Sequence, residues 1–302
     1  NGINGDADGD GVNGEVHSKA IPAVNEIQAA YIRKVVDTVN DLDNVLYEVV
    51  NEGGVQEWDW WVVETVKAYE RTKPKQHPVG ITGHGTEDLA SMLASPADWI
   101  SPGSNDGYRD PAPAWDGKKV SLLDTDHVWG VGGTHKWVWR SFLRGHNPLF
   151  MDPYDGSILG TPGDPQWEPL RKAMGVARQL ADRLDLAAMT PHGELASTEF
   201  CLAAPGKAYV AYLPEAGGLE LDLSAASGSL QVTWIHPVEG NRTAADSVEG
   251  GAKRTLKSPL DGDAVVYVRA ESEPQARSVA PQQQPKPRTW VDTQRAAPEG
   301  TQ

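Results

Sequence analysis

Residues 44–54, NVLYEVVNEGG, form an apolar run that ends in Asn51, Glu52 and two glycines. A carboxylate at the end of a greasy strand can act as a general acid, because partial burial raises its pKa towards neutrality. Asn51 beside it can hydrogen-bond a substrate hydroxyl. Strand alternation puts Leu46, Glu48, Val50 and Glu52 on one face, with Glu48 one pleat deeper as a structural, hydrogen-bonding acid. A second carboxylate comes from SLLDTDHVWG, where Asp124 and Asp126 share an alternating face with Val120 and Leu122. Glycoside hydrolysis needs such a pair: one acid protonates the leaving oxygen, and the other attacks the sugar carbon or activates water. Three blander or different readings stand beside this one. Glu52 can be a solvated strand-end acid, DTDH can be a turn cap, and Asp124, Asp126 and His127 can be ligands of a divalent metal. No HExxH or comparable second cluster accompanies the last.

Further residues that could contact a sugar follow the same strands. They are His84 after GITG, His127 and Trp129 after Asp126, Asp152 and Tyr154 in FMDPYDG, and Tyr108 and Arg109 in the loop before Asp124. Flat aromatic faces stack on pyranose C–H groups, while Asp, His and Arg fix hydroxyls. Near the start, DADGDG places Asp6, Asp8, Asp10 and Gly11 at positions 1, 3, 5 and 6 of a calcium loop. The acid expected at position 12 is replaced by His17, with Glu15 nearby. A structural calcium is the one metal this pattern suggests, and the hydrolytic reading requires no cofactor.

These residues need elements to hold them. Helices are expected at 22–41, 55–71, TEDLASMLA and THKWVWRSFLRG, with a long one at 165–189. Strands are expected at NVLYEVV, HPVGITG, DWISP, KKVSLLDTDHVWG and NPLFMDPYDG. Alternation of strands and helices means a parallel sheet, whose carboxyl ends share one rim where ligands bind. All five strands end in polar clusters: NEGG, TGHG, SPGSND, DTDH and MDPYDG. Beyond about residue 195 the pattern changes to short strands separated by Gly/Pro/Ser turns: STEFCLAA, KAYVAYLP, GLELDLS, SLQVTWIHP and DAVVYVRA. This reads as a small antiparallel β-sandwich. The three segments are thus 1–192, 193–270 and a Pro/Gln-rich tail, 271–302, expected to be disordered.

The chain of 302 residues is 39% hydrophobic and 23% charged, as globular proteins are. Its net charge of −15 argues against nucleic acid and anionic membranes as partners. The tail carries acidic and basic residues in equal number, so the excess belongs to the folded part. Eleven tryptophans against three phenylalanines suit a carbohydrate ligand, although core packing uses tryptophan equally well. No apolar run has the length of a transmembrane helix. A lone Cys201 allows no intrachain disulfide, and nothing in the sequence sets an oligomeric state.

Together these motifs resemble a known group. NVLYEVVNE looks like the fourth strand of retaining (β/α)8 TIM-barrel glycosidases, whose Asn-Glu supplies the acid/base. KKVSLLDTDHVWG corresponds to the seventh strand, which carries the nucleophile, and NPLFMDPYDG to the eighth. More narrowly, residues 1–52 resemble apiosidase-like, cellulase-like catalytic domains of bacterial carbohydrate-degrading proteins. In that group a small C-terminal β-domain, of a type named for collagen binding, often follows. KAYVAYLPEAGGLELDLS, QVTWIHPVEGNR and PLDGDAVVYVRA are similar to it. The resemblance implies Glu52 as acid/base, Asp124 as nucleophile with Asp126 as alternate, a polysaccharide or oligosaccharide substrate, and an extracellular or periplasmic location. The group usually has Glu at the nucleophile position, whereas this chain has Asp. A full barrel takes eight βα units and about 250 residues. Strands four to eight alone are expected here, which makes the chain the C-terminal portion of a longer protein and inactive by itself. The rival reading is a glycan- or matrix-binding protein with a degenerate barrel.

Overall fold

The computed structural model describes residues 2–51, 55–83, 89–103, 114–115, 117–151 and 164–270, without the side chain of His127. Its first part alternates helices and strands. They are α1 (Pro22–Val39), β1 (Tyr47–Glu48), α2 (Gln56–Glu70), β2 (Val79–Thr82), α3 (Leu89–Ala94), β3 (Trp99–Ser101) and β4 (Val120–Asp124). Then come α4 (Thr125–Trp129), α5 (His135–Leu143), β5 (Asn147–Leu149) and α6 (Glu168–Ala181). The strands make one five-stranded sheet in the order β1-β2-β3-β4-β5, with every pairing parallel. Sequential order with a helix in most crossovers is the pattern of βα units.

Alternation sorts the side chains of this sheet. Val79, Ile81 and Ile100 point to the helices and join Val36, Trp58, Val62, Val63 and Val66 of α1 and α2 in one cluster. The opposite face carries, across the register, Glu48, Gly80, Trp99 and Val120. Glycine is required at 80 because the Trp99 indole occupies the space that a Cβ would fill. On this face the chain also holds Leu46 and Leu149, 59% and 42% exposed, next to the two edge strands. The strand expected to run through KKVSLLDTDHVWG stops at Asp124, and the backbone turns at once into α4. The long helix expected at 165–189 is shorter: a 3-10 turn at Pro165–Trp167 precedes α6, and the chain leaves the helix at Asp182.

The second part is antiparallel. It comprises β6 (Thr190–Pro191), β7 (Cys201–Ala204), β8 (Ala208–Leu213), β9 (Gly218–Asp222), β10 (Ser229–Ile235), β11 (Arg242–Glu249), β12 (Lys253–Lys257) and β13 (Ala264–Ala270). Six strands form a sheet in the order β11-β10-β13-β8-β7-β6, while β9 and β12 pair separately. Both faces of the larger sheet are covered at its centre, over β7, β8 and β13. Leu202, Val210, Tyr212, Ile235 and Val265 pack with Trp137–Leu143 and Leu170–Leu180 of α5 and α6. Their alternates Ala203, Tyr209, Ala211, Trp234 and Val266 pack with Leu219, Leu221 and Leu256 of the small sheet. Burial on both faces is why β7, β8 and most of β13 are continuous apolar runs, whereas β10 alternates.

Hydrogen bonds between the two parts gather on α5. Trp139 Nε1 donates to the Pro237 carbonyl at 2.9 Å, and Lys136 Nζ to the Pro214 carbonyl at 2.9 Å. His135 Nε2 meets Asp263 Oδ2 at 3.0 Å, where the Tyr212 hydroxyl also donates, at 2.5 Å. Burial would raise the Asp263 carboxyl, but the bonds from His135 and Tyr212 outweigh it and hold the group below its usual range. The antiparallel sheet therefore serves as a packing partner of the parallel one.

Candidate active site

The carboxyl ends of the parallel strands open on a cleft of about 250 Å³. It is lined by Leu46, Glu48 and Asn51 from the β1 segment, Trp99 and Ser101 from β3, Leu122 and Asp124 from β4, Asp126 from α4, and Leu149 from β5. Three carboxylates and an amide therefore face one space, although β1 and β4 are two strands apart. Leu46, Trp99, Leu122 and Leu149 supply the apolar part of the lining beside them.

Asp124 and Asp126 reach the cleft by a different route from simple alternation. Asp124 ends β4 in an extended conformation and is the N-cap of α4; its Oδ1 accepts the Asp126 backbone N–H at 2.9 Å. Asp126 projects from the first turn of that helix. Asp124 is thus both the cap of α4 and a residue of the cleft lining. Glu48, expected to be structural, accepts a hydrogen bond from the Thr82 hydroxyl and also lines the cleft. Parity could have flagged it, because it alternates with Leu46 and Val50 on the inner face. Trp99 and Ser101 were missed as cleft residues; their signal was their place in a strand ending at the same rim.

Trp129, half-buried, packs against the core. Its ring packs edge-on to Trp137 at 5.3 Å and over Gly133. Glu52, His84, Tyr108, Arg109, Asp152 and Tyr154 lie outside the described residues, as does the His127 side chain.

At the amino-terminal loop, Asp6, Asp8 and Glu15 offer oxygens within 4.8 Å of one another. Asp10, expected in that set, accepts the Val12 N–H at 2.7 Å, and Glu15 is the third member of the group. Asp6 accepts backbone N–H groups of Gly9, Asp10 and Gly11, which wraps the loop around its carboxylate. Backbone hydrogen bonds, its own first and then that of Asp8, hold Glu15 below the usual carboxylate range. His17 stacks against Trp58 at 5.1 Å.

No protein-family model and no curated protein matches the sequence. Solved structures do resemble the fold. A glycoside hydrolase aligns with a TM-score of 0.62 and 14% identity over 82% of this chain and 70% of its own. A family 5 glycoside hydrolase from Bacteroides vulgatus aligns with a TM-score of 0.62 and 12% identity over 85% and 70%. At such identities the likeness is one of fold: an α/β architecture with a parallel sheet of glycoside-hydrolase type, followed by antiparallel sheets. Among the described residues no helix is long and apolar enough to cross a membrane.

Proposed function

We propose that this chain is part of a glycoside hydrolase that cleaves a polysaccharide or oligosaccharide, with Glu52 and Asp124 as the carboxylate pair. The observation that carries the reading is the convergence of Asn51, Glu48, Asp124 and Asp126 on one cleft at the carboxyl ends of parallel strands. The fold likeness to glycoside hydrolases supports it. In this reading Glu52 protonates the leaving oxygen and Asp124 attacks the sugar carbon with retention, with Asp126 as alternate nucleophile. The sequence resemblance to apiosidase-like domains points the same way, and an extracellular or periplasmic setting suits such a substrate. Further βα units would complete the sheet to a (β/α)8 barrel at its β1 and β5 edges, and the chain alone is inactive. Turnover by the isolated 302-residue chain would overturn that last clause.

In the protein with its barrel complete, Glu52→Gln and Asp124→Asn should each cut glycoside turnover by on the order of 10²–10⁴, with oligosaccharide binding retained. Unchanged turnover in either variant would remove that residue from the mechanism. One observation favours the non-catalytic reading: Asp124 already has a structural task as the cap of α4. A completed barrel that binds oligosaccharide yet cleaves nothing would establish it.

The loop at Asp6, Asp8 and Glu15 is proposed to hold a structural calcium, since its donors are all hard oxygens. Calorimetric titration with calcium should then give a saturable signal that Asp6→Ala abolishes. A titration showing no heat beyond dilution would dismiss the ion.

A further inference from the structure

Away from the cleft, the start of the antiparallel part holds three side chains in series. Thr190 Oγ1 lies 3.0 Å from His192 Nε2, and His192 Nδ1 lies 2.7 Å from Glu194 Oε1. The order hydroxyl, imidazole, carboxylate is the arrangement in which a base activates a nucleophile while a third group orients the base. The hydrogen bond from His192 is the main cause that holds the Glu194 carboxyl below its usual range. An ionised carboxylate only accepts, so Nδ1 must carry a proton. In the neutral ring, Nε2 is then the acceptor for the Thr190 hydroxyl.

The surroundings fix this series and give it room. Thr190 sits in the edge strand β6, paired with Ala203, and the His192 N–H donates to the Cys201 carbonyl at 2.8 Å. Between His192 and Glu194, a Cβ on Gly193 would come within 2.7 Å of the Glu199 carbonyl oxygen. Glu199 itself is held at φ +63°, a left-handed conformation rare outside glycine. Such outliers persist where the fold over-determines them, and they concentrate at functional sites. Thr190 borders a cavity of about 370 Å³ whose apolar walls include Trp115, Phe142, Met189 and Leu202. It shares no lining residue with the carboxylate cleft. Gly117 is the neighbour of Thr190 across this cavity, with a Cβ position 3.8 Å from Thr190 Cγ2.

We propose that Thr190, His192 and Glu194 form a second, esterolytic site for short-chain carboxylic esters, with the acyl group in the apolar cavity. Thr190 Oγ bonds to the acyl carbon as its proton passes to His192 Nε2. The ester C–O bond breaks, and the leaving alkoxide departs as the alcohol with that proton. Water then attacks the acyl-threonine, giving up a proton to His192, and the carboxylic acid leaves as the Thr190 hydroxyl is restored. The inference stands apart from the glycosidase reading, because it uses none of the cleft residues.

The test uses the full 302-residue chain with a biotinylated fluorophosphonate and with p-nitrophenyl butyrate. Phosphonylation displaces fluoride and leaves a stable Oγ–P bond, which tandem mass spectrometry should locate on Thr190. Butyrate turnover should saturate and fall on the order of 100-fold or more in Thr190→Ala, with Thr190→Ser still labelled. Thr190→Val, equal in shape, should behave as the alanine variant does, with circular dichroism unchanged in each. Absence of label on Thr190 would overturn the proposal. So would a Thr190→Ala variant that hydrolyses the ester at the parent rate, as an exposed imidazole acting alone would.

Discussion

Replacing Trp139 by alanine is expected to lower stability by about 3–5 kcal/mol and to loosen the antiparallel sheet from the parallel one. Trp139 is fully buried, packs edge-on to Phe142 at 6.2 Å, and lies on the helix that carries the hydrogen bonds between the two parts. Truncation would leave a cavity that the surrounding large side chains cannot close, and would orphan the Pro237 carbonyl. Trp139→Phe keeps an aromatic ring but loses the N–H and part of the indole volume, so its cost should be nearer 1–3 kcal/mol. Urea midpoints report the order of the two variants, and hydrogen exchange shows where the loss is felt. Protection in β7, β8 and β13 should fall most in the alanine variant. Equal midpoints for the alanine variant and its parent would contradict the packing role assigned to α5.

The second large effect belongs to Glu70. Its carboxylate, 1% exposed, accepts from His77 Nδ1 at 2.7 Å, the His77 backbone N–H at 2.6 Å, the Tyr47 hydroxyl at 3.1 Å and Asn40 Nδ2 at 3.1 Å. His77 Nε2 meets the Leu42 carbonyl at 2.8 Å, so both ring nitrogens face acceptors and the protonated ring suits the site. The Glu70 hydrogen bond is the main cause raising the His77 pKa, against burial, which lowers it; Leu42 adds to the rise. Burial would raise Glu70, but its hydrogen bonds, led by that of His77, bring it below the usual range. Burial, then Glu70, pushes the Tyr47 hydroxyl up to about 12.

The direction with pH follows from these shifts. The raised His77 contributes stability that is complete below its unfolded value of about 6.5 and is lost as pH rises through its higher folded value. The lowered Glu70 contributes stability that is complete above its unfolded value and is lost as pH falls through its lower folded value. Glu70→Ala leaves a buried imidazolium unpaired and should cost about 3–5 kcal/mol near pH 6. The gap between parent and variant should narrow as pH rises through the raised folded pKa of His77, where the parent loses the pair. A gap independent of pH would show that His77 carries no charge in the fold. Because β1 has only two residues and lies at the sheet edge, this cluster anchors the strand that leads to Asn51.

Much of the first part was legible because its signals are local. Pro22 at the first turn of α1, helical spacing in α2 and the short apolar runs of β2 to β5 each act within a few residues. Other elements carried no local signal. In β11, seven of eight residues are exposed on both faces, so there is no alternation to read; pairing with β10 is what makes it a strand. The end of β4 was misplaced because Asp124 fits a continuing strand and a helix cap equally well by pattern. The backbone N–H it finally accepts belongs to Asp126, and that bond exists only once the chain has turned.

Read alone, the sequence determined the βα order, the change to antiparallel strands, and a rim supplied with acids. Those properties follow from periodicity and turn chemistry, which are short-range. The tertiary structure alone decided which acids meet. It brought Glu48 to the cleft with Asp124, set Glu15 beside Asp6 and Asp8, and packed Trp129 against Trp137. It also set the Thr190 series against a cavity walled by residues from Trp115 to Leu202. Contacts between distant residues depend on how strands register and helices pack, and a linear pattern of residue types does not encode that geometry residue by residue.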